Sequence, residues 1–326
     1  MKAAWYERNG PANSVLEIGD KPTPKPNAGE VLVRLETSGV NPSDVKSRAG
    51  RPPAFDYVIP HSDGAGWIED TGAGVDSELI RKRVWVWNGQ WQRQSGTAAE
   101  YICLPVSQTV LLPDSIDFET AACFGIPGLT AAHAINRLSR TLESGRVLVT
   151  GAASSVGHYI VQMASQAGFE VIGTASSGKH DIVLSAGALA AIDYKQENVG
   201  ERVLELTNGD GVDAVIDMDF QSTSLLVSSP AIKPWATILC YGSNDMGEIG
   251  VPFRDLLFKS LKFDFFLVYE LSEQDRAAAI SRLVDFIQSG NADTRIGEIM
   301  PLEEIVKAHE LVESGQANGN VVLKIV

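Results

Sequence analysis

The sequence predicts an α/β protein that combines a β-rich N-terminal part with a parallel, doubly wound sheet. In the first part of the chain, short apolar runs are separated by many prolines and glycines, a pattern typical of barrels and sandwiches. From Arg146 onward, apolar strands alternate with amphipathic helices. This alternation indicates βαβ units, whose right-handed crossovers build a parallel sheet.

The length and composition narrow the class of protein. The 326 residues correspond to about two domains at roughly 150 residues each. Lys and Arg number 27 against 41 Asp and Glu, so the net charge is 27 − 41 = −14, which argues against nucleic acid as the main partner. The hydrophobic fraction of 44% and the charged fraction of 21% are typical of a soluble globular protein.

The location of the protein is predicted from three features. No apolar run reaches the roughly 18 residues of a membrane span, and the N-terminus turns polar too early for a signal peptide. The cysteines Cys103, Cys123 and Cys240 are far apart, so they form neither a metal-binding pair nor a disulfide framework. We therefore expect a cytoplasmic protein.

The expected elements follow in chain order. The N-terminal part contains strands at 31–35, 84–87 and 99–104, followed by helices at 117–122 and 130–138. The strands of the parallel sheet are expected at 147–149, 171–172, 191–192, 214–216, 238–240 and 261–267. The chain closes with helices at 273–288 and 302–314 and a strand at 321–325.

The most informative segment is the small-residue turn at 147–157, where a strand runs into a helix. Such a turn points the N–H groups of a helix N-terminus at an anion, usually a pyrophosphate. The three glycine positions of the G-x-G-x-x-G motif carry Ala152, Ser154 and Gly157. Gly157 stands where helix and strand pack closely, and the Ser154 hydroxyl can donate to phosphate. The alternative is an ordinary turn of small residues.

The end of the next strand indicates which dinucleotide binds. A fold that prefers NAD places Asp or Glu about 20 residues after the turn, to bind the ribose 2′-OH. Here Ala175 stands at that place, followed by Ser176, Ser177 and Lys179. Hydroxyl donors and a positive charge suit a 2′-phosphate, so the expected cofactor is NADP(H). The alternative is a solvated surface turn with an ordinary lysine.

Several segments in a specific order carry a family resemblance. They are 39–44 (GVNPSD) with Arg48 and Gly50, 62–66 (SDGAG), 99–101 (AEY), 127–131 (PGLTA), the turn at 147–157, 193–194 (DY), 210–213 (DGVD) and 319–324 (GNVVLK). In these segments the sequence resembles the medium-chain dehydrogenase/reductases. Within that family it is similar to the zinc-independent quinone oxidoreductases related to zeta-crystallin.

The resemblance implies a GroES-like β-barrel substrate domain plus an inserted Rossmann doubly wound parallel sheet. Residues 1–125 and 269–326 would form the substrate domain, and residues 126–268 the NADP-binding domain. The active site would lie in the cleft between them.

The resemblance also bears on metal binding. Asn41, Ser62 and Ile126 match the positions of the catalytic zinc ligands in the zinc-dependent alcohol dehydrogenases, and His61 stands one residue before its ligand position. The four-cysteine structural lobe is missing. Because zinc needs three or four N, S or O ligands, no metal is expected.

Without a Lewis acid, hydride transfer to an electron-poor acceptor is easier than alcohol oxidation. The expected function is therefore the NADPH-dependent reduction of a quinone or an α,β-unsaturated carbonyl. Two alternatives stay open. One is a non-catalytic NADPH-binding protein, crystallin-like or redox-sensing, and the other is alcohol dehydrogenase-like activity.

The candidate catalytic residues are Asn41, Asp44 and Tyr57. Asn41 would donate to the acceptor oxygen or to the nicotinamide ribose, and Asp44 would orient it. Tyr57 would supply a proton if it faces the cleft, with water as the alternative source. The loop at 41–44 also fits a capped turn that merely starts a helix.

The candidate cofactor-binding residues are Asn41, Thr130, Ala153, Ser154, Ser155, Val156, Ser176, Ser177, Lys179, Tyr194, Tyr241, Gly242, Leu267 and Asn320. By resemblance, Thr130 lies near the nicotinamide ribose and Tyr194 on the adenosine side. Leu267 would lie beside the nicotinamide carboxamide, and Asn320 would belong to a C-terminal loop that reaches the cofactor. For Tyr241 and Leu267 the alternative is core or edge packing.

The strand expected at 261–267 is rich in Leu and Phe, and an exposed edge strand of this kind is an aggregation liability. The resemblance implies that two Rossmann sheets pair edge to edge there, which gives a homodimer. The alternative is a buried last strand within one subunit.

Overall fold

The computed structural model describes residues 1–325. The strands are β1 (Lys2–Trp5), β2 (Glu17–Asp20), β3 (Glu30–Val40), β4 (Asp63–Thr71), β5 (Arg83–Val86), β6 (Tyr101–Pro105), β7 (Thr109–Leu111), β8 (Arg146–Val149), β9 (Glu170–Ala175), β10 (Ala190–Asp193), β11 (Val212–Asp217), β12 (Ile232–Cys240), β13 (Lys262–Phe265), β14 (Ile296–Pro301) and β15 (Asn320–Lys324).

The helices are α1 (Ala12–Val15), α2 (Pro42–Gly50), α3 (Phe118–Ala121), α4 (Leu129–Thr141), α5 (Ser155–Gln166), α6 (His180–Ser185), α7 (Val199–Leu206), α8 (Phe220–Thr223), α9 (Phe253–Lys259), α10 (Glu273–Gln288) and α11 (Ile305–Glu313). Short 3₁₀ turns span Ser77–Leu79, Val106–Gln108, Ser177–Lys179, Leu226–Ser228, Val268–Glu270 and Leu302–Glu304, and a π turn spans Phe124–Gly128. Over residues 1–325, no helix combines the length and the apolar character needed to cross a membrane.

The chain divides into two compact units. The first consists of Met1–Ile126 and the segment from Thr294 onward, and the second of Pro127–Asp293. The second unit is thus inserted into the first, as the resemblance implies.

The inserted unit is built on six parallel strands in the order β10-β9-β8-β11-β12-β13. This order runs outward in both directions from the neighbours β8 and β11, as in a doubly wound sheet with a switch point between them. The side chains of Val147, Ile192, Val215 and Ile238 are wholly buried, because helices cover both faces of such a sheet. Burial on both faces explains why these strands are continuous apolar runs in the sequence, and the predicted fold class is confirmed.

The first unit is built on a mainly antiparallel sheet in the order β14-β15-β3-β4-β5-β7, with β6 also paired to β3. Strand β3 is the hub, since it pairs with β15, β4 and β6. The chain returns to this unit near its C-terminus because β15 completes the edge of β3, with β14 added in parallel beyond it.

The second domain boundary differs from the predicted one, which assigned 269–326 to the substrate domain. Helix α10 packs against α4 within the inserted unit, where Leu283 is wholly buried. Two polar contacts add to this packing, from Arg282 Nε to Asn136 Oδ1 (2.5 Å) and from Arg140 Nη2 to Asp275 Oδ1 (3.0 Å). The boundary predicted at 268/269 is therefore corrected to 293/294, and the one predicted at 125/126 moves by one residue to 126/127.

Candidate active site

The strands of the inserted unit bring most of the predicted cofactor-binding residues to one edge of the sheet. Five strands are followed there by predicted residues: β8 by Ala153, Ser154, Ser155 and Val156, β9 by Ser176, Ser177 and Lys179, β10 by Tyr194, β12 by Tyr241 and Gly242, and β13 by Leu267. Thr130 is buried in the first turn of α4. The carboxyl ends of parallel strands are where ligands bind in open α/β sheets.

The turn after β8 is fixed to the strands on both of its sides. Gly151 has a φ of +60°, a conformation that favours glycine, and its N–H donates to Thr174 Oγ1 of β9 (3.1 Å). The Ala152 N–H donates to the Thr174 carbonyl oxygen (2.9 Å). On the other side, Thr150 Oγ1 donates to Asp217 Oδ1 of β11 (2.7 Å), a buried carboxyl group whose pKa is raised by burial. These contacts hold the turn in one conformation.

Helix α5 begins at this turn and leaves donors for an anion. Ser154 is the N-cap, and its Oγ accepts from the Gly157 N–H (3.1 Å), so the hydroxyl hydrogen remains available to donate. The N–H groups of Ser155 and Val156 belong to the first turn, where no helical acceptor exists. A Cβ at Gly157 would lie 2.9 Å from Ala152 Cα, which confirms the predicted close packing. The arrangement fits a pyrophosphate.

A carboxylate that the sequence did not lead us to expect lies beside the end of β9. Asp193, at the end of the neighbouring strand, accepts from the Lys195 N–H (3.0 Å). That bond, together with hydrogen bonds from Ser177, lowers the pKa of Asp193. Ser177 is therefore engaged by Asp193, whereas Ser176 and Lys179 stay the candidates for a 2′-phosphate. Only the pairing of β10 with β9 reveals this neighbour.

Three other predicted contacts differ in their exposure. Tyr194 and Leu267 are half exposed, at 52% and 50%, and are thus accessible to a ligand. Tyr241 packs beside Phe266, with ring centroids 6.2 Å apart, and burial raises the pKa of its hydroxyl. These surroundings favour the alternative that Tyr241 is a packing residue and not a cofactor contact.

In the first unit, Asn41 directly follows β3 and is the N-cap of α2. Its backbone N–H donates to Asp44 Oδ2 (2.7 Å). Asp44 is buried, and burial raises the pKa of its carboxyl group to about 7. The contact matches the capped turn that the sequence left open, and it also fixes the backbone of Asn41.

The Asn41 side chain has a partner that sequence reasoning missed. Its Nδ2 donates to Asp63 Oδ2 (2.7 Å), and the Ile126 N–H donates to both oxygens of the same carboxyl group (2.9 Å each). Asp63 is wholly buried, which raises the pKa of its carboxyl group well above the usual range. The available signal was an acidic residue at the start of β4, directly before the small residues Gly64, Ala65 and Gly66.

The remaining predicted residues of this unit are Asn320 and Tyr57. Asn320 begins β15, which pairs antiparallel with β3, so it lies at the same end of the sheet as Asn41. Its Nδ2 donates to the Arg295 carbonyl oxygen (2.8 Å). The Tyr57 ring lies 3.9 Å from Lys21 Nζ, a cation–π contact.

The side chains at the positions of the resembled zinc ligands do not fit zinc. Ile126 offers no donor atom, and Asn41 already bonds to Asp63. Both ring nitrogens of the neighbouring His61 are hydrogen-bonded to buried side chains. Within residues 1–325, no three His, Cys, Asp or Glu side chains are grouped so as to hold a metal ion.

Comparison with known proteins agrees with this geometry. The model for "Alcohol dehydrogenase GroES-like domain" matches residues 27–114, and that for "Zinc-binding dehydrogenase" matches residues 155–287. A quinone oxidoreductase of Rattus norvegicus is 30% identical over 98% of this chain and 95% of its own length. A trans-enoyl reductase of Aspergillus flavipes is 33% identical over 60% of this chain and 61% of its own length.

A solved structure extends the likeness to the whole fold. It is a mycobacterial protein complexed with NADPH, 27% identical, with a TM-score of 0.88 over 99% of this chain and 100% of the other. The resemblance predicted from the sequence is thereby confirmed. The chain belongs to the medium-chain dehydrogenase/reductases, a family of oxidoreductases, and within it to the quinone oxidoreductases.

Proposed function

We propose that the protein is an NADPH-dependent oxidoreductase that transfers hydride to a quinone or an α,β-unsaturated carbonyl without a metal. The observation that carries the proposal is the turn that opens α5, where Gly157 allows close packing and the first-turn N–H groups remain for a pyrophosphate. The full-length similarity to a quinone oxidoreductase supports the acceptor class, and the similarity to a trans-enoyl reductase supports enones.

NADPH is the proposed cofactor for two reasons. Ser176 and Lys179 follow β9, where this type of fold is expected to bind the adenosine ribose, and they offer a hydroxyl and a positive charge to a 2′-phosphate. The similar mycobacterial protein was solved with NADPH. Asp193 is expected to limit the number of donors, since it engages Ser177.

When bound, the reduced nicotinamide supplies a hydride to the acceptor. The chain's own part is to hold the acceptor and to stabilise the negative charge that develops on its oxygen. Asn41 is the proposed donor to that oxygen or to the nicotinamide ribose, with its backbone held by Asp44. A quinone gains one hydride and one proton to become a hydroquinone. The proton comes from water or from Tyr57.

The first prediction concerns turnover. The protein should oxidise NADPH in the presence of 1,4-quinones or 2-alkenals, and Asn41→Ala should lower kcat/KM about 100-fold, as for other donors to developing charge. The measurement is the loss of NADPH absorbance with a panel of each acceptor. The control is Asn13→Ala, an exposed site on α1.

Three outcomes would contradict this proposal. NADPH binding without turnover of any acceptor would favour a non-catalytic binding protein. Stoichiometric zinc in a metal assay would favour alcohol dehydrogenase chemistry. An unchanged rate in Asn41→Ala would remove Asn41 from the mechanism.

The second prediction concerns cofactor choice. Lys179→Ala should weaken NADPH binding about tenfold, because a charge-assisted hydrogen bond contributes about 1.5 kcal/mol or more, and should leave NADH binding unchanged. Fluorescence titration with each cofactor measures both affinities. Lys195→Ala, an exposed lysine nearby, controls for general loss of charge. Equal weakening of NADPH and NADH would contradict the assignment.

We also propose that the protein is a homodimer through β13. This strand is the edge of the parallel sheet and pairs only with β12 among the described strands. Phe265 on the strand is 57% exposed, and Leu257 and Phe258 on the adjacent α9 are 61% and 75% exposed. Exposed apolar side chains on an open edge strand, and on the helix that precedes it in the chain, are typical of an interface.

The third prediction tests the dimer. Light scattering should give about 70 kDa, twice the chain mass of 35.0 kDa, and Phe258→Glu should shift it to the single-chain value because a charge would be buried in the interface. Leu184→Glu places the same change on α6, where the leucine is 44% exposed, and should leave the mass unchanged. A wild-type protein of single-chain mass would contradict the proposal.

A further inference from the structure

The Asp63 carboxyl group is the meeting point of three segments of the first unit. It lies on β4 and receives Asn41 Nδ2 from the end of β3 and the Ile126 N–H from the π turn. A buried polar group without such donors would cost free energy. The carboxyl group and its donors therefore hold one another in place.

The π turn is shaped around this carboxyl group. A Cβ at Gly125 would lie 2.6 Å from Asp63 Cγ, so only glycine leaves room for the Asp63 side chain. The next residue, Ile126, then presents its N–H midway between the two oxygens. Single π turns inside helical segments are frequent at functional sites.

The backbone of Asp63 is fixed by a buried chain of hydrogen bonds. Thr97 Oγ1 donates to the Asp63 carbonyl oxygen (2.6 Å) and so accepts from Ser38 Oγ (2.8 Å). Ser38 in turn accepts from His61 Nδ1 (2.9 Å), and His61 Nε2 accepts from His309 Nε2 (2.9 Å). Burial lowers the pKa of both histidines, so both are neutral and each bond has one direction.

The consequence reaches Asn41. Asp63 Oδ2 accepts from Asn41 Nδ2, and both oxygens of the carboxyl group accept from the Ile126 N–H, so the NH₂ edge of the Asn41 amide faces Asp63 and the amide has one orientation. Asp44 holds the backbone N–H of the same residue. We propose that Asp63 is a positioning residue that acts through Asn41: it engages one hydrogen of the Asn41 NH₂ group and so fixes the direction in which the second hydrogen is offered to the reactants. The inference rests on the proposed function, which gives Asn41 its role.

The test displaces the carboxyl group without changing any polar side chain. Gly125→Ala forces a Cβ against Asp63, whereas Gly50→Ala adds the same atom where nothing lies within 4 Å. We expect kcat/KM for quinone reduction to fall about tenfold or more in Gly125→Ala, as for misplaced catalytic groups. In Gly50→Ala it should stay within about twofold.

A double-mutant cycle decides whether the effect passes through Asn41. In an Asn41→Ala background, Gly125→Ala should cause no further loss. A loss of the same size in both backgrounds would overturn the inference. If Gly125→Ala fails to fold, Asp63→Asn replaces it in the same cycle. This change turns one of the two oxygens that accept from the Ile126 N–H into an NH₂ group, and an NH₂ group cannot accept.

A measurement without cofactor separates this inference from the proposed function. The side-chain NH₂ resonances of Asn41, identified by their loss in Asn41→Ala, should differ from those of a free amide and should move toward them in Asp63→Asn. Unmoved resonances would overturn the positioning role even in an active enzyme. A wild-type protein that never oxidises NADPH would overturn the proposed function, and the resonances would still test the orientation of Asn41.

Discussion

The close approach of helix α5 to the end of β8 is the constraint on which the dinucleotide site depends. A side chain at Gly157 would collide with the Ala152 backbone. Any residue larger than glycine would therefore push the start of α5 away from the end of β8. In this close position, the first-turn N–H groups of α5 point at the place where the anion would bind. The contacts of Thr174 and Thr150 with the turn and with Asp217 then supply rigidity, since preformed donors need no rearrangement when charge arrives.

The first unit keeps several polar side chains in its core and holds each of them in one conformation. Asp44 and Asp63 are both buried, and burial raises the pKa of both carboxyl groups. Each accepts a hydrogen bond from Asn41. Asp44 therefore holds the backbone of Asn41, and Asp63 holds its side chain. Buried polar networks of this kind specify a single arrangement when every member is satisfied.

The sequence predicted those features that depend on local pattern. Helix α10 was predicted with its observed ends, because the amphipathic period lies within the segment itself and a capping serine, Ser272, directly precedes it. Its membership of the inserted unit was not predicted, since the apolar face does not tell whether α4 or another element covers it. Strand β14 was missed because only one of its six residues, Met300, is buried, which leaves little apolar pattern in the sequence.

In the candidate active site, too, local features were predicted and contacts between distant segments were not. The turn at 147–157 was predicted from its small residues alone. The Asn41–Asp63 contact was not, because it joins residues 22 apart in sequence and depends on the register of β3 and β4. The same holds for Asp193, which only the pairing of β10 with β9 brings beside Ser177. Non-local register fixes both, and one sequence does not reveal it.

Calorimetric titration with NADPH tests the central claim most directly, on the wild-type protein, on Gly157→Ala and on Gly250→Ala, whose added Cβ would have open space. The account predicts one NADPH per chain for the wild type and for Gly250→Ala, and an affinity at least about tenfold weaker for Gly157→Ala, equivalent to about 1.4 kcal/mol. Undiminished binding in Gly157→Ala, or no heat with the wild type at millimolar NADPH, would contradict it.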